Sequence, residues 1–412
     1  VDGVQLFNSL TQQYELFEPR GERVSLYVCG VTPYDTAHLG HAFVYSTFDV
    51  LIRFLRFRRF DVHYVQNVTD IDDVLFERVR ELGDIAWDVL ARRETEVFVR
   101  AMQALNISAP DHLVPASDQI PAMLKLIAQL LENGFAYVSD GWVYFSVRHD
   151  PEFGRLAYAA GLLDYAQRLE VANQHGNQPD DPRKQDPLDF VLWRRSEPGE
   201  PSWPSPWGAG RPGWHIECSA IATTFLGAQL DIHGGGADLI FPHHSCEIAQ
   251  SERTVAAHPW ARYWMHVGLV QLGGTKMSKS LGNLISVHNL LRTYAPDAVR
   301  ILLASHQYRS PWEFRLAEME QAQRTADSFA AAARGSCRDE EPPPDSFTAW
   351  AEGAFLNALD HDLDTPQALR VLELLARATT HDLLPGTERD IARYRILGLA
   401  GLLGLRLDGL AA

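Results

Sequence analysis

The sequence predicts an α/β protein: a Rossmann-type parallel sheet that carries an insertion and is followed by a helical C-terminal region. Three observations lead to that expectation. A strand–loop–helix–strand pattern lies near the start of the chain, the same pattern resumes after Gly213, and an acidic, proline-rich segment separates it from amphipathic helices. Val24-Ser25-Leu26-Tyr27-Val28-Cys29 is apolar and alternating and ends at Gly30, as a short strand does. After a polar loop, Val44, Phe48, Leu51, Ile52 and Leu55 recur at helical spacing between His41 and Phe57, and Asp61 to Asn67 is strand-like again. Strand, loop, helix and strand in that order make a βαβ unit, which builds parallel sheets covered by helices. The loop Gly30 to Gly40 then leaves the carboxyl end of a strand, where open α/β sheets bind ligands.

From Pro110 to Ser202 the pattern loosens. A helix over Ser117–Asn133 with Ser117 as its cap, a hairpin near Tyr137–Val147 and a polar stretch Asn173–Asp186 read as an insertion between two halves of the sheet. Beyond Gly213 the chain predicts a helix after Trp214, a strand Gln229–His233, the run Gly234-Gly235-Gly236, and a helix opening at Pro242, a residue favoured in a first turn. Gly335 to Ser346 (GSCRDEEPPPDS) reads as a linker. After it, Thr365-Pro366 marks a helix start, with Leu369, Leu372 and Leu375 on one face. The expected divisions are 1–109 and 206–265 for the halves of the sheet domain, 110–205 for the insertion, 266–334 for a loop and stem-contact region, 335–346 for the linker and 347–412 for a small helical domain.

The chain has 412 residues, 46% hydrophobic and 22% charged, an ordinary globular mix with room for two or three domains. No apolar run approaches the length of about 18 residues that a membrane span needs. Val1-Asp2-Gly3-Val4-Gln5 lacks the basic-then-apolar pattern of a secretory signal. Four scattered cysteines argue against a disulfide framework and leave metal binding or catalysis for any paired subset. A cytoplasmic enzyme with no membrane partner is the expectation. The net charge of −16 shows no basic face in the totals, which counts against a nucleic-acid partner without excluding a local patch.

His38-Leu39-Gly40-His41 follows the first strand and opens a helix, and Lys276-Met277-Ser278-Lys279-Ser280 lies in a loop with Gly273-Gly274 before it and Gly282 after it. Taken singly, these are two surface histidines at a turn and a solvated basic loop. Taken together and in this order, they suit adenylate formation, in which a carboxylate attacks the α-phosphate of a nucleotide and pyrophosphate leaves. That reaction needs charge on the phosphates stabilised, and paired histidines at a helix N-terminus with two lysines on a glycine-flanked loop meet the need. Gly234–Gly236 with Asp238 form a third element at another strand end, where glycine permits close backbone approach, although a glycine run alone is often just a turn.

A second constellation is metal-like. Cys29 ends the first strand, Cys218 lies on the helix after Trp214, and His243 and Glu247 stand four residues apart on one helix face. All four are competent zinc ligands, while buried free cysteines and a helix-start histidine are the plain alternative. Cys246 and Cys337 have no partner pattern, and His233 and His244 are candidates to line the pocket or support the ligands.

Tyr27-Val28-Cys29-Gly30, HLGH, Asn67-Val68-Thr69-Asp70-Ile71-Asp72-Asp73, Gly213-Trp214-His215-Ile216-Glu217-Cys218-Ser219, DIHGGGADLIFPHH (Asp231–His244) and KMSKSLGN (Lys276–Asn283) together resemble cysteinyl-tRNA synthetase, a class I (HIGH/KMSKS) aminoacyl-tRNA synthetase. The likeness also takes in Tyr308-Arg309-Ser310-Pro311 and Asp362-Leu363-Asp364-Thr365-Pro366. It implies one zinc ion held by Cys29, Cys218, His243 and Glu247 that grips the substrate thiolate. It implies catalytic roles toward ATP and its Mg2+ for His38, His41, Lys276 and Lys279, with Gly40, Gly234, Gly235, Gly236 and Asp238 beside the nucleotide. Gly30, Thr69 and Trp214 would line the amino-acid pocket. A thiolate–zinc bond separates cysteine from serine far better than a hydrophobic pocket does. The implied partners are L-cysteine, ATP and tRNA(Cys), and the implied state is a monomer.

Two departures point elsewhere. The chain ends after Gly404-Leu405-Arg406-Leu407 and a short tail, as a short form without the family's C-terminal anticodon-binding extension. Gly30-Val31-Thr32-Pro33-Tyr34-Asp35 and His41 look like the relative that joins cysteine to glucosaminyl-inositol in mycothiol synthesis. Glu247, His233 and the Tyr-Arg-Ser-Pro stretch look like the synthetase. Transfer of activated cysteine to tRNA(Cys) is the leading expectation and ligation to glucosaminyl-inositol the alternative. Intact ATP loops and four intact ligands argue against an idle paralogue.

Overall fold

The computed structural model describes residues 3–34, 37–255, 258–277 and 282–407. Its central sheet has five strands, all parallel, in the spatial order Ala261–Val267, Leu230–Gly236, Arg23–Val31, Asp61–Val68 and His112–Pro115. Counted along the chain this is the 3-2-1-4-5 order of a doubly wound fold, so the strand order reverses between Arg23–Val31 and Leu230–Gly236. The pleat explains why both faces are covered. Leu26 and Val28 join the hydrophobic cluster of Phe43 and Phe48 on the helix Leu39–Phe57, whereas Tyr27 and Cys29 join that of Cys218 and Ile221 on the helix Trp214–Leu226. A crevice at the carboxyl ends of these two strands is therefore flanked by one helix from each face.

The insertion packs in a second hydrophobic cluster, which it shares with the helices Trp214–Leu226 and Ser245–Glu252. The strands Ala136–Ser139, Trp142–Phe145, Phe190–Arg194 and Arg211–Pro212 form an antiparallel sheet, and Phe145 and Trp193 share a hydrophobic cluster with Ile127 of the helix Ile120–Glu132. At the C-terminal end, the helices Leu316–Ala332, Phe347–Asp360, Thr365–Thr380 and Gly386–Leu402 share one continuous apolar cluster with the sheet domain. Leu369, Leu372 and Leu375 are buried in it, as their spacing predicts. No regular element lies between Ala332 and Phe347, in keeping with a linker. Among the described residues no helix is long and apolar enough to cross a membrane.

Several local expectations need correction. The strand His112–Pro115 belongs to the edge of the main sheet and Arg211–Pro212 to the insertion, so the two units interleave across the boundaries drawn at 110 and 205. Ser117 does not cap a helix: it lies in a 3-10 turn, Ala116–Gln119, and its hydroxyl donates to Asp70 Oδ2 at 2.5 Å. The glycines Gly234 to Gly236 are the last residues of the strand Leu230–Gly236 rather than a loop after it. Pro242 falls in a kinked turn, Ile240–His244, and the α-helix begins only at Ser245. The cap of the helix Thr365–Thr380 is Asp364, whose carboxylate accepts from Gln367 N at 3.0 Å, one residue ahead of the expected threonine.

Candidate active site

His38 is the N-cap of the helix Leu39–Phe57, and its Nδ1 accepts from Gly40 N at 3.1 Å and His41 N at 3.4 Å. A histidine thus satisfies amide groups that a serine or aspartate usually would, and this holds its proton on Nε2. The His41 ring stacks on His38 with centroids 3.7 Å apart, and burial, helped by His38, pushes its pKa well down and keeps the imidazole neutral. The lysine segment reaches this turn through its own backbone. Leu39 N donates to Ile285 O at 2.8 Å and Val287 N to Ala37 O at 3.0 Å, so the chain just past the lysine loop runs beside the histidine turn. Met277 is buried, and its methyl stands 4.0 Å from where a Cβ on Gly40 would lie. The tighter approach at Gly40 is to the His38 ring, 3.0 Å from that Cβ position. Lys276 closes the short strand Thr275–Lys276, while Ser278, Lys279 and Ser280, like Asp35, lie outside the described residues.

The four expected metal donors do meet. Cys29 Sγ lies 3.9 Å from Cys218 Sγ and 3.5 Å from Glu247 Oε1, and His243 Nε2 lies 3.4 Å from Cys218 Sγ and 3.2 Å from Glu247 Oε1. A tetrahedral metal with thiolate, imidazole and carboxylate ligands has donor–donor edges of about 3.3–3.8 Å. The set therefore has the size of one coordination sphere, and all four side chains are buried. Burial pushes the Glu247 carboxyl and the Cys29 and Cys218 thiols up and the His243 imidazole down. A divalent cation reverses that balance for the thiols and the carboxyl, because its charge stabilises their ionised forms. Glu247 Oε2, buried and 3.4 Å from His233 Nε2, accepts no hydrogen bond. Such an oxygen suits a cation. The residues fit a metal.

Around these donors stand further histidines, two of them missed in the sequence. His215 Nδ1 lies 2.9 Å from His243 Nδ1, and a proton donated there by His243 leaves its Nε2 lone pair as a metal donor. His215 sits three residues before Cys218 on the same helix, a spacing that was a usable signal. His244 Nε2 is 3.3 Å from Cys29 Sγ while its Nδ1 is 2.7 Å from His266 Nε2, and His233 Nε2 is 3.7 Å from Cys29 Sγ. His233, His244, Cys29 and Glu247 form an overlapping set of possible donors, so His233 and His244 stand against the candidate ligands Cys29 and Glu247. His266 is reached only because Ala261–Val267 pairs with the strand Leu230–Gly236, and no local pattern marks it.

The remaining candidates divide. The Trp214 ring stacks on His243 at 4.3 Å, and buried Thr69 accepts from Asn67 Nδ2 at 3.0 Å. Asn67 Oδ1 accepts from Gly30 N at 2.7 Å and from Tyr27 OH at 3.0 Å, so one amide ties together the ends of the two central strands. A Cβ on Gly30 would lie 1.6 Å from Asn67 O. Gly30→Ala is therefore expected to part these strand ends and to lower stability by about 1–3 kcal/mol, read as a lower denaturation midpoint; an unshifted midpoint would contradict the close approach. The space beside Gly234 holds the Phe48 ring, at 2.0 Å from a Cβ position, and that beside Gly235 holds Leu239 and His244. A Cβ at either position would meet these groups, which is why both are glycine. Gly236 faces Asp238 Oδ1 at 2.5 Å from its Cβ position, just past the strand end.

A family model described as tRNA synthetases class I (C) catalytic domain matches residues 16–324. The chain is 44% identical over 415 residues to the cysteine–tRNA ligase of Alkalilimnicola ehrlichii, covering 98% of this chain and 86% of that protein. It is 46% identical over 381 residues to the L-cysteine:1D-myo-inositol 2-amino-2-deoxy-alpha-D-glucopyranoside ligase of a Parafrankia species, covering 90% of this chain and 83% of that one. The solved structure of Mycobacterium tuberculosis methionyl-tRNA synthetase in complex with methionyl-adenylate superposes with a TM-score of 0.64 at 16% identity, over 93% of this chain and 90% of the other, a likeness of fold alone. The family match takes in the whole parallel sheet and both motif loops, and by it the chain belongs to the class I (C) tRNA synthetases.

Proposed function

We propose that this chain is a cysteine–tRNA ligase: it activates L-cysteine with ATP to cysteinyl-adenylate and passes the cysteinyl group to tRNA(Cys), acting as a monomer in the cytoplasm. The observation that carries the proposal is the buried Cys29, Cys218, His243 and Glu247 set, whose Cys29 lies on the strand Arg23–Val31 at the switch point of the sheet. Two thiolates with imidazole and carboxylate favour zinc among the common divalent metals. Bound there, zinc supplies a soft Lewis acid for the thiol of cysteine and none so good for the hydroxyl of serine.

Trp214, stacked on the His243 ring, would orient the amino acid with Thr69 and Gly30, which both bond to the Asn67 side chain. One carboxylate oxygen of cysteine attacks the α-phosphorus of Mg-ATP and pyrophosphate leaves. His38, with its proton on Nε2, and neutral His41 would donate to phosphate oxygens at the N-terminus of the helix Leu39–Phe57, whose dipole also favours the negative charge. Lys276 and Lys279 would balance charge on the leaving pyrophosphate, with Gly40, Gly234, Gly235, Gly236 and Asp238 beside the nucleotide. A ribose hydroxyl of the tRNA terminal adenosine then attacks the cysteinyl carbonyl and AMP leaves.

A second reading, transfer to the amine of glucosaminyl-inositol, is favoured by the 46% identity to the Parafrankia ligase and by His41. It shares the first step and differs only in the acceptor. Product analysis with cysteine tRNA and glucosaminyl-inositol offered together to one preparation decides between them. Charged tRNA is the expected product. Robust cysteine-dependent pyrophosphate exchange with a cysteine amide and no charged tRNA would overturn the ligase-to-tRNA reading.

A further inference from the structure

The entry to the lysine segment is held by a residue outside every motif named above. The strands Val270–Leu272 and Thr275–Lys276 are joined by the two-residue turn Gly273-Gly274, in which both residues have positive φ, +66° and +74°. Glycine adopts the left-handed conformation without a Cβ penalty, and such a turn matches the twist of its strands. Its amide N–H groups point away from the hairpin ladder and need another acceptor. Glu313 provides it. The strand Trp312–Glu313 runs parallel to Val270–Leu272, with Glu313 opposite Gln271, and the carboxylate of Glu313 reaches around the hairpin tip. Gly273 N donates to Oε1 at 2.6 Å and Gly274 N to Oε2 at 3.2 Å. These are charge-assisted bonds from two consecutive amides to one carboxylate.

What this clasp holds in place is the backbone at Lys276. Thr275 Oγ1 donates to Leu272 O at 3.1 Å and accepts from Asn283 Nδ2 at 3.3 Å, so the residue before Lys276 is tied both to the turn and to the far side of the lysine segment. Met277, the residue after it, is buried and donates its N–H to Val270 O at 3.2 Å. Lys276 thus stands between two anchored neighbours, and the first anchor rests on the turn that Glu313 clasps.

We infer that Glu313 is a positioning residue for adenylate formation: its carboxylate, by binding the N–H groups of Gly273 and Gly274, fixes the hairpin that presents Lys276 to the nucleotide. The inference rests on the proposed function. It is tested in the full chain with E313A and E313Q, by cysteine-dependent ATP–pyrophosphate exchange and by amide hydrogen exchange. In E313A the amides of Gly273 and Gly274 should exchange faster and kcat should fall about tenfold, with the cysteine KM, the bound metal and the denaturation midpoint unchanged. E313Q keeps an acceptor for Gly273 N and should lose less. In a K276A background the E313A effect should shrink to within about twofold, because the two substitutions remove one contribution. An active parent whose kcat and amide exchange ignore E313A overturns the inference alone, as does a tenfold loss that persists in K276A. A parent with no cysteine-dependent exchange overturns the functional reading and this inference with it. Should E313A shift the midpoint, the E313Q comparison carries the same outcomes.

Discussion

Cys218→Ala should release the metal and remove cysteine activation. Cys218 Sγ is one corner of the donor set, 3.4 Å from His243 Nε2 and 3.9 Å from Cys29 Sγ, and it is wholly buried on the helix Trp214–Leu226. Removing it leaves three donors and a methyl where a soft anionic ligand stood, and among the described residues the further donors grouped with the set are His233 and His244, on the Cys29 side. Metal per chain, counted by elemental analysis, should fall from about one to near zero, since each ligand contributes to a binding free energy of order 10 kcal/mol. Cysteine-dependent pyrophosphate exchange should drop at least about a thousandfold, the effect of losing about 4 kcal/mol of transition-state stabilisation. Cys246→Ala serves as the control, because Cys246 is equally buried but stands outside both donor sets. A Cys218→Ala protein that activates cysteine at the parent rate without metal would end the zinc proposal.

The second large effect is on stability. Arg300 is completely buried in the helix Pro296–Ala304, and its Nη2 pairs with Asp49 Oδ2 at 2.7 Å. Its other donors reach Leu403 O at 2.8 Å and Leu105 O at 3.1 Å. One guanidinium therefore joins the first helix of the sheet domain, the connection before the third strand and the end of the last helix. Gly404, with φ +73°, leaves room for it: a Cβ there would lie 2.2 Å from Arg300 Cζ. Arg300→Met should destabilise the chain by about 3–5 kcal/mol, the usual cost of leaving a buried charge without its partner. The lower end of that range is expected, because Asp49 keeps Arg53 at 2.8 Å and Ser108 N at 2.9 Å. The measurement is the denaturant midpoint together with amide exchange in Gly386–Leu402, which should quicken first. A loss below about 1 kcal/mol would mean that the junction does not depend on this ion pair.

Much of this was legible in the sequence because it is local. Alternation from Val24 to Cys29 and helical spacing from Val44 to Leu55 record which face each side chain must bury, and burial is what makes those segments strand and helix. The same logic placed His38 at a helix start and His243 and Glu247 on one face. Errors arose where one residue type serves two ends. Ser117 suits a cap but bonds Asp70 instead, and Pro242 suits a first turn but lies in the kink ahead of it. At Gly234 the packing of Phe48, from the helix Leu39–Phe57, gives a reason for glycine that the local sequence does not show.

By itself, then, the sequence determined the α/β class, the helix that opens at the histidine turn, and the supply of soft and imidazole donors, all of which follow from nearest-neighbour periodicity and side-chain chemistry. Only the tertiary structure decided that Cys29 meets Cys218, that His215, His233, His244 and His266 surround them, that Glu313 clasps the glycine turn, and that Arg300 joins the helical region to the sheet. Those contacts depend on strand order and helix packing over long separations, and the free energy that selects them comes from burying whole faces rather than from any short run of residues.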